Sequence, residues 1–198
     1  MSNFVATIPM DVGFDMDGVV VNLLQPVLDI YNAKYGRAVK LPDITRWDMA
    51  ECVPDGTLIY EIFEQPGLFE NLPIHPGADW ALRAVLAMGH RPYLVTAGSN
   101  NAPSEKSRWV QKHLPYMRDR LFQTNAKTPK GLIPFDVLVD DGPHNLLEYK
   151  ARHPNGFAIA VDYAYTEPAR PVCDRIVDFS DPEVGWASIV SIIQSISK

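Results

Sequence analysis

The stretch that decides the fold is Met10-Asp11-Val12-Gly13-Phe14-Asp15-Met16-Asp17-Gly18-Val19-Val20. A short, mainly apolar run reads as a buried strand, and it stops at two carboxylates two residues apart, followed by a glycine. That spacing has a mechanical sense. As the chain leaves the strand, Asp15 can point at an incoming phosphorus, Asp17 can bend back toward the leaving oxygen, and Gly18 supplies the turn. An aspartate carboxylate is a competent nucleophile for phosphoryl transfer, and a second acid can protonate a departing alkoxide and later activate water.

Working outward, Asn22 to Tyr35 predicts a helix with Leu24, Val27, Leu28, Tyr31 and Tyr35 on one face, stopped by Gly36. Residues 37–73 are less regular, with turn signals at Pro42-Asp43, Pro54-Asp55-Gly56 and Pro66-Gly67 and a helix expected over Thr57 to Glu64; the segment reads as an inserted lid. From Pro76 onward helices and strands alternate. Helices are expected over Pro76–Met88, Ser104–His113 and Asn145–Arg152, and strands over Pro92–Thr96, Leu121–Gln123, Phe135–Val139 and Gly156–Val161. This alternation favours a mostly parallel sheet covered on both faces, an α/β fold. A last helix, Pro182–Ile196, carries Trp186, Ile189, Val190, Ile193 and Ile196 on one stripe, which is a packing face. Trp80 and Trp109, on helices with apolar neighbours, are expected in the core.

Three of the expected strands end in polar residues that packing would not select: Asp15 with Asp17, Thr96, and Asp140 with Asp141. Ligands of open parallel sheets bind at the carboxyl ends of the strands, so the convergence predicts one site. Four carboxylates in one cleft repel one another, and an oxygen-preferring divalent ion is the usual way to hold them together. Mg²⁺ is the expected ion, because it accepts a few carboxylates and keeps room for waters and a phosphate oxygen. Thr96 can offer a hydroxyl and backbone N–H to a phosphate, and a lysine can neutralise the transferring oxygens.

Composition bounds the partners. The 198 residues hold 24 acids against 18 Lys plus Arg, a net charge of −6 that argues against coating nucleic-acid polymers or anionic membranes. The two cysteines, Cys52 and Cys173, make no disulfide framework, and His75, His90, His113, His144 and His153 show no zinc spacing. A soluble, cytoplasmic protein without a leader or membrane span is expected.

Asp15-Met-Asp17-Gly18-Val19-Val20, Thr96, an intervening lysine and Val139-Asp140-Asp141-Gly142-Pro143 resemble the signatures of the haloacid dehalogenase-like phosphohydrolases. Leu68-Phe69-Glu70-Asn71-Leu72-Pro73-Ile74-His75-Pro76-Gly77-Ala78, the Glu105-Lys106-x-x-Trp109-Val110 helix and the Asp136–Asp141 strand are most similar to the 5′(3′)-deoxyribonucleotidases. The resemblance implies a Rossmann-like parallel-sheet core formed by residues 1–22 and 74–198, with a mainly helical cap at 23–73. It implies an Mg²⁺-dependent hydrolase of (deoxy)ribonucleoside monophosphates acting through an aspartyl-phosphate. Asp15 would then be nucleophile and metal ligand, and Asp17 the general acid/base, binding metal through its main-chain carbonyl. Asp141 and Asp140 would serve as ligand and neighbour in an order left open.

Thr96 with Ala97 would hold the phosphate, and Lys127, favoured over Lys106, would neutralise it. Leu23, Trp47 and Phe63 would flank the base. Departures are Ala97 where relatives often carry Ser-Pro, Gly142 where they commonly have Arg, Leu23 in place of an aromatic group, and a long interval from Lys127 to Asp140. The partner implied is a free nucleotide, compatible with a homodimer. A sugar-phosphate phosphatase of the same superfamily and a silent nucleotide-binding module are the alternatives.

Overall fold

The structure is a computed structural model that describes residues 8–98, 100–125 and 128–197. Strands β1 (Asp11–Asp15), β2 (Arg91–Ala97), β3 (Leu121–Thr124), β4 (Val137–Asp140), β5 (Phe157–Asp162) and β6 (Arg175–Asp178) form one all-parallel sheet among the described residues, in the order β3-β2-β1-β4-β5-β6. The strand order reverses between β1 and β4. Asp15 and Asp140 leave the sheet at that switch point, where open α/β sheets form a crevice.

The side-chain alternation of a strand sorts the apolar residues into two layers. On one face Phe14, Val137, Val139, Ile159 and Val161 pack with Ala81, Leu82 and Val85 of α4 (Ala78–Ala87) and Trp186, Ile189 and Ile193 of α7 (Pro182–Ile196). On the other, Val95, Leu138, Ala158 and Ala160 meet Leu146 and Tyr149 of α6 (Pro143–Arg152). Gly13 lies beneath Phe135, whose ring would stand 2.4 Å from any added Cβ, so no side chain fits in the middle of β1. Burying both faces explains why these strands read as continuous apolar runs.

Between residues 22 and 73 the chain makes only helices and turns: α1 (Leu24–Tyr35), 3₁₀ turns at Leu41–Asp43, Met49–Glu51 and Gly56–Ile59, α2 (Tyr60–Phe63) and α3 (Leu68–Asn71). It leaves and returns through a narrow neck in which Asn22 N–H donates to the Pro73 carbonyl and His75 N–H to that of Val20, each at 2.9 Å. The returning end is held by α5 (Ala102–His113). Glu105, buried, accepts from the N–H groups of Gly67 (2.7 Å) and Phe69 (3.1 Å), and Trp109 Nε1 donates to the Leu72 carbonyl at 2.7 Å.

The expected helix over Thr57–Glu64 is split into a 3₁₀ turn and α2, and β6 and the 3₁₀ stretch Ala164–Val172 are elements the pattern did not announce. Trp109 is in the core as expected, but Trp80 is 54% exposed. α4 turns Ala78, Ala81, Leu82 and Val85 inward, and Trp80 falls off that stripe. No helix among the described residues is long and apolar enough to cross a membrane.

Candidate active site

Beyond β1 the chain tightens at once. Val20 and Val21 N–H both return to the Met16 carbonyl, and Gly18 N–H donates to Val21. Gly18 has φ +79°, and an added Cβ would lie 2.3 Å from Asp141 Oδ2. Glycine is therefore required twice at this position, by the backbone and by the close approach of Asp141.

Asp15, Asp140 and Asp141 are buried together, and one carboxylate oxygen of each falls within 4.8 Å of the others. The sequence does not distinguish the last two, but their surroundings differ. Asp140 is enclosed by Gly142 N–H (2.8 Å), the Asn145 amide (3.0 and 3.2 Å) and Lys130 Nζ (3.3 Å). Asp141 Oδ2 accepts from the Tyr165 hydroxyl at 2.5 Å, while its Oδ1 has no partner among the described residues. Asp15 Oδ2 pairs with Lys130 Nζ at 2.6 Å, and its Oδ1 is likewise bare.

Burial first, and then the Asp140 charge, push Asp15 well above the usual carboxylate range and raise Asp141 to about 7. Burial alone would lower Lys130; the flanking Asp140 and Asp15 carboxylates raise it instead. Burial keeps the Tyr165 phenol well above its ordinary range, so it stays a donor. Three acids thus face one ammonium with two buried oxygens unpartnered among the described residues. This all-oxygen set fits a hard divalent cation.

Lys106 Nζ, almost wholly buried, donates to Asp17 Oδ2 (2.5 Å), Thr96 Oγ1 (2.8 Å) and the Ala97 carbonyl (2.7 Å), bringing Thr96, Ala97 and Asp17 to one point. Lys127 lies outside the described residues. Lys130, which the sequence reading did not single out, is the lysine that touches Asp15. Its signal was the long interval to Asp140: Lys130 stands three residues closer than Lys127. Asn145 and Tyr165 were also missed.

Asp15, Asp17, Asp141, Lys106 and Lys130 floor a cleft of about 730 Å³ whose lining includes Leu23, Trp47 and Phe63. Trp47, 48% exposed, meets the rings of His144 (4.7 Å between centroids) and Tyr165 (5.6 Å). Phe63 contacts Phe69 (6.5 Å), over which Lys106 Nζ sits at 4.8 Å. Leu23, Trp47 and Phe63, named from sequence, therefore share one cleft with Asp15, Asp17 and Asp141.

The family model described as 5′ nucleotidase, deoxy (pyrimidine), cytosolic type C protein matches residues 9–181. A 5′(3′)-deoxyribonucleotidase of Clostridium acetobutylicum is 30% identical over 181 residues, covering 84% of this chain and 96% of the relative. One of Bacillus subtilis is 25% identical over 141 residues, covering 70% and 80%. Among solved structures, a HAD family hydrolase from Deinococcus radiodurans R1, with bound phosphate and sodium, superposes with a TM-score of 0.62 at 16% identity, covering 94% of this chain and 96% of that one.

Proposed function

We propose a reaction from the premise that this chain belongs to the 5′ nucleotidase, deoxy (pyrimidine), cytosolic type C family of phosphatases and has the haloacid dehalogenase-like fold: hydrolysis of nucleoside monophosphates, deoxyribonucleotides foremost, through a phosphorylated Asp15. The observation that carries it is the meeting, in one cleft with aromatic side chains on its wall, of Asp15, whose buried Oδ1 has no partner among the described residues, and Asp17 with Lys106, which also binds Thr96.

Asp15 and Asp141 would hold Mg²⁺ through side chains and Asp17 through its carbonyl, with Asp140 bracing Lys130 and the start of α6. The ion would supply charge neutralisation for the phosphate and the acids. The chain's own groups do the rest. An incoming phosphate takes the place of Asp17 on Lys106 and Thr96, which leaves Asp17 free to carry a proton. Asp15 attacks phosphorus, the ester P–O bond breaks, and Asp17 gives its proton to the departing sugar oxygen. A water then attacks the phosphorus of phospho-Asp15, Asp17 takes the water's proton, and inorganic phosphate leaves with Asp15 restored.

Residues 23–73 act as the cap, with Leu23, Trp47 and Phe63 against the base and water kept out. A free nucleotide of the cytoplasm is the substrate, not a polymer.

The test is phosphate release from dUMP, dTMP, their ribonucleotide counterparts and a set of sugar phosphates, with and without EDTA. Nucleotide turnover that chelation removes and Mg²⁺ restores is expected. A sugar-phosphate optimum without nucleotide turnover, or full activity in chelator, would sink the reading.

A further inference from the structure

The segment after β5 reaches the site through three side chains. Tyr163 donates to the Gly18 carbonyl at 2.9 Å, Tyr165 to Asp141 Oδ2 at 2.5 Å, and Thr166 Oγ1 to the Asp141 carbonyl at 2.9 Å. The two phenol rings stack, with centroids 5.3 Å apart and planes 12° from parallel. One irregular stretch, interrupted by Pro168 and Pro171, thus ties the turn after β1 to the end of β4, the two pieces of chain that carry Asp15 and Asp141.

For Asp141 the result is a division of labour between its oxygens. Oδ2 is committed to a phenol, and Oδ1, buried, has no partner among the described residues. A carboxylate held in this way offers a cation one oxygen. Resting on the reading of Asp141 as a cation ligand, we propose that Tyr165 is a positioning residue that makes Asp141 a single-oxygen ligand and so biases the site toward Mg²⁺ and against Ca²⁺. The chemical basis is that Mg²⁺ takes one oxygen per carboxylate in a tight octahedron, whereas the larger Ca²⁺ accepts both oxygens of a carboxylate. Groups that orient a ligand typically change metal affinity about 10- to 100-fold when removed.

Tyr165→Phe keeps the ring against Tyr163 and Trp47 and removes only the hydroxyl. The experiment follows the melting midpoint of the full chain, first in chelator and then against rising Mg²⁺ or Ca²⁺ with no substrate present. The unmutated chain is expected to respond to Mg²⁺ at lower concentration than to Ca²⁺. In Tyr165→Phe the apparent Mg²⁺ affinity is expected to fall about ten-fold, and the Ca²⁺ affinity to fall less or to rise. An equal fall for both ions, or no change in their ratio, overturns the proposal, since a merely structural tyrosine would weaken both alike. Should Tyr165→Phe not fold, Tyr165→Met, which also lacks the donor, is read by the same ratio.

The two readings fail separately. A chain that shows the shifted ion preference but hydrolyses no nucleotide supports Tyr165 and defeats the nucleotidase assignment. Full nucleotidase activity with an unshifted preference defeats Tyr165 alone.

Discussion

The floor and the lid wall of the cleft are built on opposite terms. On the floor, Asp15, Asp141 and Lys130, with Asp140 bonded to Lys130, are almost wholly buried, and each carboxylate oxygen is either committed to a named donor or without a partner among the described residues. On the wall, Trp47 is about half exposed and Phe63 half-buried, and they touch their neighbours through ring edges and faces. A buried polar network is unforgiving, because one lost partner strands a charge. An apolar wall exchanges one contact surface for another at small cost. On the proposed reaction, substitutions on the floor are expected to change turnover and those on the wall the choice of substrate.

The largest effect expected on this contrast comes from Asp15→Asn. Phosphate release should fall by at least about 10⁴-fold for every ester tested, as removal of a nucleophile does, while circular dichroism stays native. Turnover near that of the unmutated chain would break the contrast outright. Lys130→Met comes next. It leaves the buried acids without their ammonium and should cost about 3–5 kcal/mol in urea unfolding, a loss that shrinks as Mg²⁺ is added. An unchanged unfolding midpoint would mean that the floor is not a coupled network.

His75 tests the junction of the two regions, since its backbone pairs with Val20 in the neck while its ring is buried with neither nitrogen bonded among the described residues. Burial lowers its pKa to about 4 from an ordinary 6.5. The unfolded chain therefore takes up the proton first. The neutral ring costs nothing above pH 6.5, and about 3 kcal/mol of stability is lost as pH falls from 6.5 to 4. In metal-free protein Asp141, raised to about 7, acts with the opposite sign by gaining its proton early in the folded state. The measurement is accordingly the difference between this chain and His75→Gln across that window, and a flat difference would reject the assignment.

The smallest effect belongs to the wall. Trp47→Ala should raise KM for a nucleotide about ten-fold, the loss of one good ring contact, and leave hydrolysis of p-nitrophenyl phosphate unchanged. A fall in turnover for both substrates would show that wall and floor are not separable.

The same contrast explains what could be read from sequence. The floor's acids stand out because charges at the ends of apolar strands have no packing reason to be there. Their division of roles does not, since Asp140 and Asp141 differ only in which donors the fold brings to them. Lys130 hides in Thr128-Pro129-Lys130-Gly131, which reads as an ordinary turn, and Tyr165 follows a strand in a stretch too broken by proline to show a period. β6 was missed because only Val177 of its four residues is buried, as befits a short edge strand. Trp80 was misplaced because apolar neighbours on a helix do not say which side a tryptophan occupies. Trp47 and Phe63 were legible only by likeness; nothing in their own spacing sets them apart from core aromatics.

The neck carries a consequence for how this chain can change. Asn22 and Pro73 are joined by one hydrogen bond, so the roughly fifty residues between them begin and end at nearly the same point in space. Closing such an excursion becomes only slowly more unfavourable with its length, by about 0.6 kcal/mol per doubling. The sheet therefore senses the anchored ends, at the neck and on α5, more than the length of the turns between them. Length changes confined to the turns between α1 and α2, away from the bonds to α5, are expected to leave the register of β1 with β2 and β4 undisturbed, which makes those turns the most variable part of the excursion.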